Sequence, residues 1–297
     1  MTMQRDIEVE NRFESHAAGA ERMTLRGAGG LTLVADAWGD PSAPPVLLLH
    51  GGGQTRHAWG ATGITLAAAG WRAISFDLRG HGDSDWDDDG DYSIDAYAAD
   101  VQAIAASLSR PPALVGASLG GLTSLIAVGE GLCDAAAVVL VDCAPRLEAD
   151  GVARIMSFMR CGLDGFASLD EAADAIASYL PHRKRPQDLS GLHKNLRLRP
   201  DGRYRWHWDP RFVEGTQRPT PSKQPERLLR AAAGLSVPTL LVRGRMSDVV
   251  SEAGAAEFLE HAPSAEFVDV SDAGHMVAGD RNDIFTTAVV EFLRRQG

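Results

Sequence analysis

The sequence predicts an α/β chain in which a mostly parallel sheet carries helices on both faces. Three apolar runs, Val46–Leu49, Val138–Val141 and Thr239–Val242, lack the polar alternation of a half-exposed strand, as strands covered on both sides do. Stretches with helical spacing lie between such runs, the clearest at Ile94, Tyr97, Ala98, Val101, Ile104, Ala105 and Leu108. Glycine-rich or polar turns follow the runs directly, at the strand ends where sheets of this kind bind ligands.

Taken in order, residues 1–21 read as an extension with little periodicity. Arg5, Asp6, Glu8, Glu10, Arg12 and Glu14 interrupt any apolar stretch there, so neither a signal peptide nor a membrane anchor is expected and the chain is placed in the cytoplasm. Met23–Arg26 and Leu31–Ala35 read as a hairpin across Gly27-Ala28-Gly29-Gly30. Val46–Leu49 then delivers His50-Gly51-Gly52-Gly53, followed by a helix expected over 57–69 and a strand over 73–76. The polar turn Asp77-Leu78-Arg79-Gly80-His81-Gly82-Asp83-Ser84 comes next, and Ser93 caps the following amphipathic helix.

The pivot of the chain is Gly116-Ala117-Ser118-Leu119-Gly120, between the apolar run 112–115 and a helical pattern marked by Leu122, Leu125 and Ile126. Strand, tight turn and helix in that order lift Ser118 out of the sheet, and glycines let the neighbouring backbone pass closely. The unpaired amides that open the helix point back at the serine, which makes the Leu119 N–H an oxyanion donor. Gly52 is the first choice for the second donor and Gly53 the next, because glycines after a buried strand turn their N–H groups inward.

A serine hydroxyl needs a base, and the base needs an acid to hold its tautomer. His275 follows the last strand, Glu266–Val270, within Asp272-Ala273-Gly274-His275, and is the expected base. Asp248, in Gly244-Arg245-Met246-Ser247-Asp248, is the preferred acid on chain order, and Asp142, which ends Val138–Val141, is its rival. A final helix is expected over 284–295.

Residues 146–233 read as a mainly helical lid inserted into a core formed by 22–145 and 234–297. Between 181 and 230 the lid carries 13 Lys or Arg against 5 Asp or Glu, in a chain of net charge -11. A positive face looking into the cleft would draw a carboxylate-bearing substrate, with Trp206 or Trp208 as a flat apolar wall, whereas a solvated face with packed tryptophans would do neither.

The acidic balance argues against nucleic acid and anionic membranes as partners. Cys133, Cys143 and Cys161 form no C-x-x-C pair and no metal spacing, and are expected to be buried thiols. No metal and no organic cofactor is implied, and self-association is left open.

Together these motifs resemble the α/β-hydrolase superfamily, in the lid-bearing branch that includes epoxide hydrolases, carbon-carbon bond hydrolases, esterases and cofactor-free perhydrolases. The resemblance rests on His50-Gly51-Gly52, the 77–84 turn, Gly116–Gly120, Gly244–Asp248 and Gly274-His275. It implies eight strands with the lid after the sixth. Epoxide hydrolases and haloalkane dehalogenases of that branch attack with an aspartate where this chain has Ser118, so the resemblance implies acyl transfer on an ester or lactone. Carbon-carbon bond hydrolysis, perhydrolysis and simple small-molecule binding on the same scaffold are the competing expectations.

Overall fold

The computed structural model describes residues 19–181, 185, 187–220, 223–271, 273–275 and 282–296. Strands β1 (Glu21–Arg26), β2 (Thr32–Trp38), β3 (Pro45–Leu49), β4 (Arg72–Phe76), β5 (Ala113–Ala117), β6 (Ala137–Val141), β9 (Thr239–Gly244) and β10 (Glu266–Val270) form one eight-stranded sheet in the order β1-β2-β4-β3-β5-β6-β9-β10. The β1–β2 and β2–β4 pairs are antiparallel, and all the others are parallel. The remaining pair, β7 (Leu196–Leu198) and β8 (Tyr204–Trp206), is a separate antiparallel ribbon in the insertion.

Alternate residues of the central strands enter different cores, which explains their unbroken apolar runs. Leu47, Leu49, Leu114, Leu140 and Leu241 join one buried cluster, while Val46, Leu48, Val115, Val139 and Val242 join the other. The first cluster packs under helices α2 (Ile94–Ser107), α3 (Leu119–Gly129), α7 (Pro225–Ala233) and α8 (Glu252–His261). On the opposite face lie α1 (Gly60–Ala68) and the last helix, α9 (Asn282–Arg294).

The cap expected at Ser93 forms, and Ser251 acts in the same way. Ser93 caps α2 by accepting from Ala96 N–H at 3.2 Å, and Ser251 caps α8 through Gly254 N–H at 3.2 Å. The expected helix over 57–69 differs. A 3-10 turn occupies Arg56–Trp59 and α1 starts only at Gly60. Arg56 is the cause: it is buried, its N–H donates to Asp77 Oδ1 at 2.7 Å, and its guanidinium pairs with Asp36, Asp77 and Asp83.

The insertion follows β6 and holds α4 (Ala149–Arg160), α5 (Leu169–Tyr179), the β7–β8 ribbon and the short helix α6 (Arg211–Glu214). Helix α7, within the last residues of the stretch read as the insertion, packs against α3. Any side chain on Gly129 would strike the Ala231 carbonyl, and Arg227 pairs with Glu130 and Asp95. The cysteine expectation also needs correction: Cys143 is buried and Cys133 partly so, but Cys161 is exposed at the end of α4. No described helix is long and apolar enough to cross a membrane.

Candidate active site

Ser118 stands between β5 and α3 with φ 47° and ψ -112°, a conformation that a sharp strand-to-helix turn forces on it. Backbone contact explains its flanking glycines. A Cβ on Gly116 would lie 2.3 Å from the Gly120 carbonyl oxygen, and one on Gly120 would lie 2.4 Å from the Leu49 carbonyl oxygen. The elbow is stitched to the next strand where Ser118 N–H donates to Val141 O at 3.0 Å.

That next strand is followed directly by Asp142, which is 1% exposed and also held at positive φ, 45°. Its Oδ2 accepts the His275 Nδ1–H at 2.6 Å and the Ser247 hydroxyl at 2.6 Å, while Oδ1 accepts Gly244 N–H at 3.0 Å. Donation from Nδ1 fixes the tautomer that leaves His275 Nε2 as the basic nitrogen. Asp142 therefore holds His275, and the preference for Asp248 is corrected. The Asp248 carboxylate turns away and pairs with Arg154 of α4 at 2.7 Å.

The glycine loop after β3 lies against the elbow: a Cβ on Gly51 would be 3.4 Å from Ser118 Cβ, and one on Gly52 would be 3.9 Å from Leu119 Cδ2. Its three amides have different fates. Gly51 N–H donates to Gln54 Oε1 at 2.9 Å and Gly53 N–H to His81 Nε2 at 3.1 Å. Gly53 is thus excluded as an oxyanion donor in this conformation, a second correction. Among the described residues the Gly52 and Leu119 amides donate to nothing, as donors kept for a ligand must.

A family model described as alpha/beta hydrolase fold matches residues 44–281. The chain belongs to the α/β-hydrolase fold family. This hydrolase is 31% identical over 265 residues to the esterase Rv0045c of Mycobacterium tuberculosis, covering 86% of this chain and 83% of that protein. It is 30% identical over 264 residues to the 2-(acetamidomethylene)succinate hydrolase of Mesorhizobium japonicum, covering 85% and 88%. Among solved structures, an α/β hydrolase from Novosphingobium aromaticivorans superposes with a TM-score of 0.78 at 28% identity, over 94% of this chain and 99% of that one. These likenesses mark the chain as an enzyme, a serine-type hydrolase.

Three buried histidines brace the hydrolase loop. His50 donates from Nδ1 to Gly51 O at 2.8 Å and accepts Leu78 N–H at Nε2 at 3.0 Å. His81 donates from Nδ1 to Arg79 O at 3.0 Å while its Nε2 takes the Gly53 amide. His207, from the insertion, accepts Gly82 N–H at Nδ1 at 2.7 Å and donates from Nε2 to Gly53 O at 3.2 Å. Burial pushes the imidazolium form down in all three, to about 4 for His50, about 3 for His81, and well below the usual range for His207. Neutral rings can each accept one N–H, which this arrangement requires.

The 77–84 turn is ordered, as expected, by Ser84 Oγ donating to Asp77 O at 2.6 Å and by the Arg79–Asp100 pair, whose two bonds are both 2.7 Å. Trp206 and Trp208 are buried and stacked, 4.9 Å between ring centres, and the Trp206 indole N–H donates to Cys161 O. With Trp86, Leu163 and Pro210 they line a cavity of about 100 Å³ that does not reach Ser118. Asp272 lies outside the described residues. Ser247 and His207 escaped the sequence reading, although both sit inside stretches it singled out.

Proposed function

We propose that this enzyme hydrolyses a carboxylic ester or lactone of a small molecule through an acyl-enzyme, with Ser118 as nucleophile, His275 as general base and Asp142 as the orienting acid. The observation that carries the reading is the 2.6 Å bond from His275 Nδ1 to a carboxylate that Gly244 N–H and Ser247 Oγ hold in place. The basic Nε2 takes the serine proton as Oγ attacks the carbonyl carbon. The tetrahedral oxyanion is received by the Gly52 and Leu119 amides, and collapse expels the alcohol, which is protonated by His275. Water then attacks the acyl-enzyme by the same steps in reverse order of groups. The elbow, the acid–base pair and the open amides support this chemistry, and the esterase relative makes esters the first substrates to try.

The proposal for a carboxylate-bearing substrate has weaker support. Part of the cationic excess is already engaged by carboxylates outside that stretch: Arg185 pairs with Asp170 and Asp174, Arg197 with Asp83, and Arg227 with Asp95 and Glu130.

Intact mass after exposure to a fluorophosphonate tests the reading. One adduct on the native chain and none on Ser118→Ala supports it, and an unlabelled, folded native chain contradicts it. Turnover of p-nitrophenyl esters without cleavage of a diketone separates it from carbon-carbon bond hydrolysis.

A further inference from the structure

Gly53 is gripped through both of its backbone polar groups, which belong to successive peptide units. Its N–H is held by His81 of the core at 3.1 Å, and its C=O by His207 of the insertion at 3.2 Å. Gly53 sits at φ +75° and a Cβ there would lie 3.4 Å from Trp208, so the insertion also packs on the loop. The unengaged Gly52 N–H shares its peptide plane with the Gly51 carbonyl, which accepts His50 Nδ1–H at 2.8 Å and Gln54 N–H at 3.1 Å, so the plane is held on one side by those bonds and on the other by the grip on Gly53.

His207 cannot shift alone, because its strip of the insertion is bound to the core beyond the imidazole. Asp209 N–H donates to Gly80 O at 2.9 Å, the Tyr92 hydroxyl donates to Asp209 Oδ2 at 2.6 Å, and Arg211 donates to Asp87 O at 2.7 Å and Asp88 O at 2.9 Å.

We propose that His207 is a positioning residue for the oxyanion hole: by holding the Gly53 carbonyl it anchors the far side of the glycine loop that carries the Gly52 N–H, so the insertion completes the catalytic loop as well as covering it. The consequence for rate rests on the serine-hydrolase reading, and the clamp itself does not. Oxyanion donors act through being aimed before charge develops, so loosening the loop lowers turnover more than substrate binding.

Two substitutions separate the two ring nitrogens. His207→Asn keeps an acceptor where Nδ1 meets Gly82 N–H and removes the donor to Gly53, while His207→Gln restores an N–H near the Nε2 position. Hydrogen exchange of the peptide spanning residues 50–54 is to be measured beside kcat and KM for p-nitrophenyl acetate. In His207→Asn the exchange is expected to accelerate and kcat to fall about ten-fold with KM within about two-fold, and His207→Gln to stay near native. Equal behaviour of the two variants, or losses that track melting temperature alone, would overturn the proposal.

Native-state exchange on the unmutated chain gives a check that needs no variant. Residues 50–54 and 206–209 must open together as denaturant rises, and independent opening of 50–54 refutes the clamp. A native chain that neither turns over esters nor takes up a fluorophosphonate removes the serine-hydrolase reading while leaving these exchange results to decide the clamp.

Discussion

Ser118 and Asp142 directly follow neighbouring strands and share a positive φ that no other described non-glycine residue has, at 47° and 45°. Strain of this kind costs on the order of 1–3 kcal/mol per residue and persists only where the surroundings enforce it. Here they do, since Ser118 N–H is bound to Val141 O and Asp142 N–H to Val242 O. The two residues proposed as nucleophile and acid are therefore aimed by adjacent strand ends.

Ser247→Ala removes one of the three donors to Asp142 and the hydroxyl that accepts Val249 and Val250 N–H. The carboxylate keeps His275 and Gly244 but loses its lateral support. A kcat about ten-fold lower with little change in KM is expected from steady-state ester kinetics.

Gly120→Ala places a methyl group 2.4 Å from the Leu49 carbonyl oxygen. Because the obstacle is backbone of a central strand, it cannot turn aside. Urea unfolding is expected to show a loss of roughly 3 kcal/mol or more, or no soluble protein at all.

Below neutral pH the buried histidines destabilise the fold. His50 and His81 have folded-state values near 4 and 3, below the unfolded value of 6.5, and His207 is lowered in the same direction. The unfolded chain thus binds more protons between those limits, so stability is whole above about pH 6.5 and falls as pH drops, by about 1.4 kcal/mol per pH unit for each histidine at full slope. Urea midpoints at pH 7.5 and pH 5 check the sign, and a higher midpoint at pH 5 would contradict it.

Tyr92→Phe deletes the hydroxyl that donates to Asp209 and accepts Asp87 N–H at 3.2 Å. Both partners lie in buried or half-buried surroundings, so about 1–2 kcal/mol of stability is expected to go. Faster tryptic cleavage between α6 and α7 would locate the loosening in the insertion.

The sequence made the strands and the elbow legible because burial on both faces leaves runs that no other element shows. Observed bounds of β4, β6 and β10 differ from the expected ones by no more than a residue at either end. The acid was not legible from chain order, which Asp142 and Asp248 satisfy equally. What separates them is sheet order. β6 lies directly beside β5, β9 lies one strand farther away, and the loop after β9 contributes Ser247 to the site while its aspartate bonds to α4. The glycine loop was legible as a loop, but which amide stays open depends on the Gln54 side chain and on His81, 28 residues away. The charge excess of the insertion is smaller in space than in the chain, since Arg185, Arg197 and Arg227 pair with carboxylates outside the window in which it was counted.

The most direct test of the account is the turnover of p-nitrophenyl acetate by Asp142→Asn beside that of Asp248→Asn. An amide at 142 no longer favours the Nδ1–H tautomer or balances the imidazolium, so kcat is expected to fall by roughly a thousand-fold or more, while Asp248→Asn stays within about two-fold of native. The opposite ranking, or equal rates for the two variants, would contradict the assignment of Asp142 and the active site built on it.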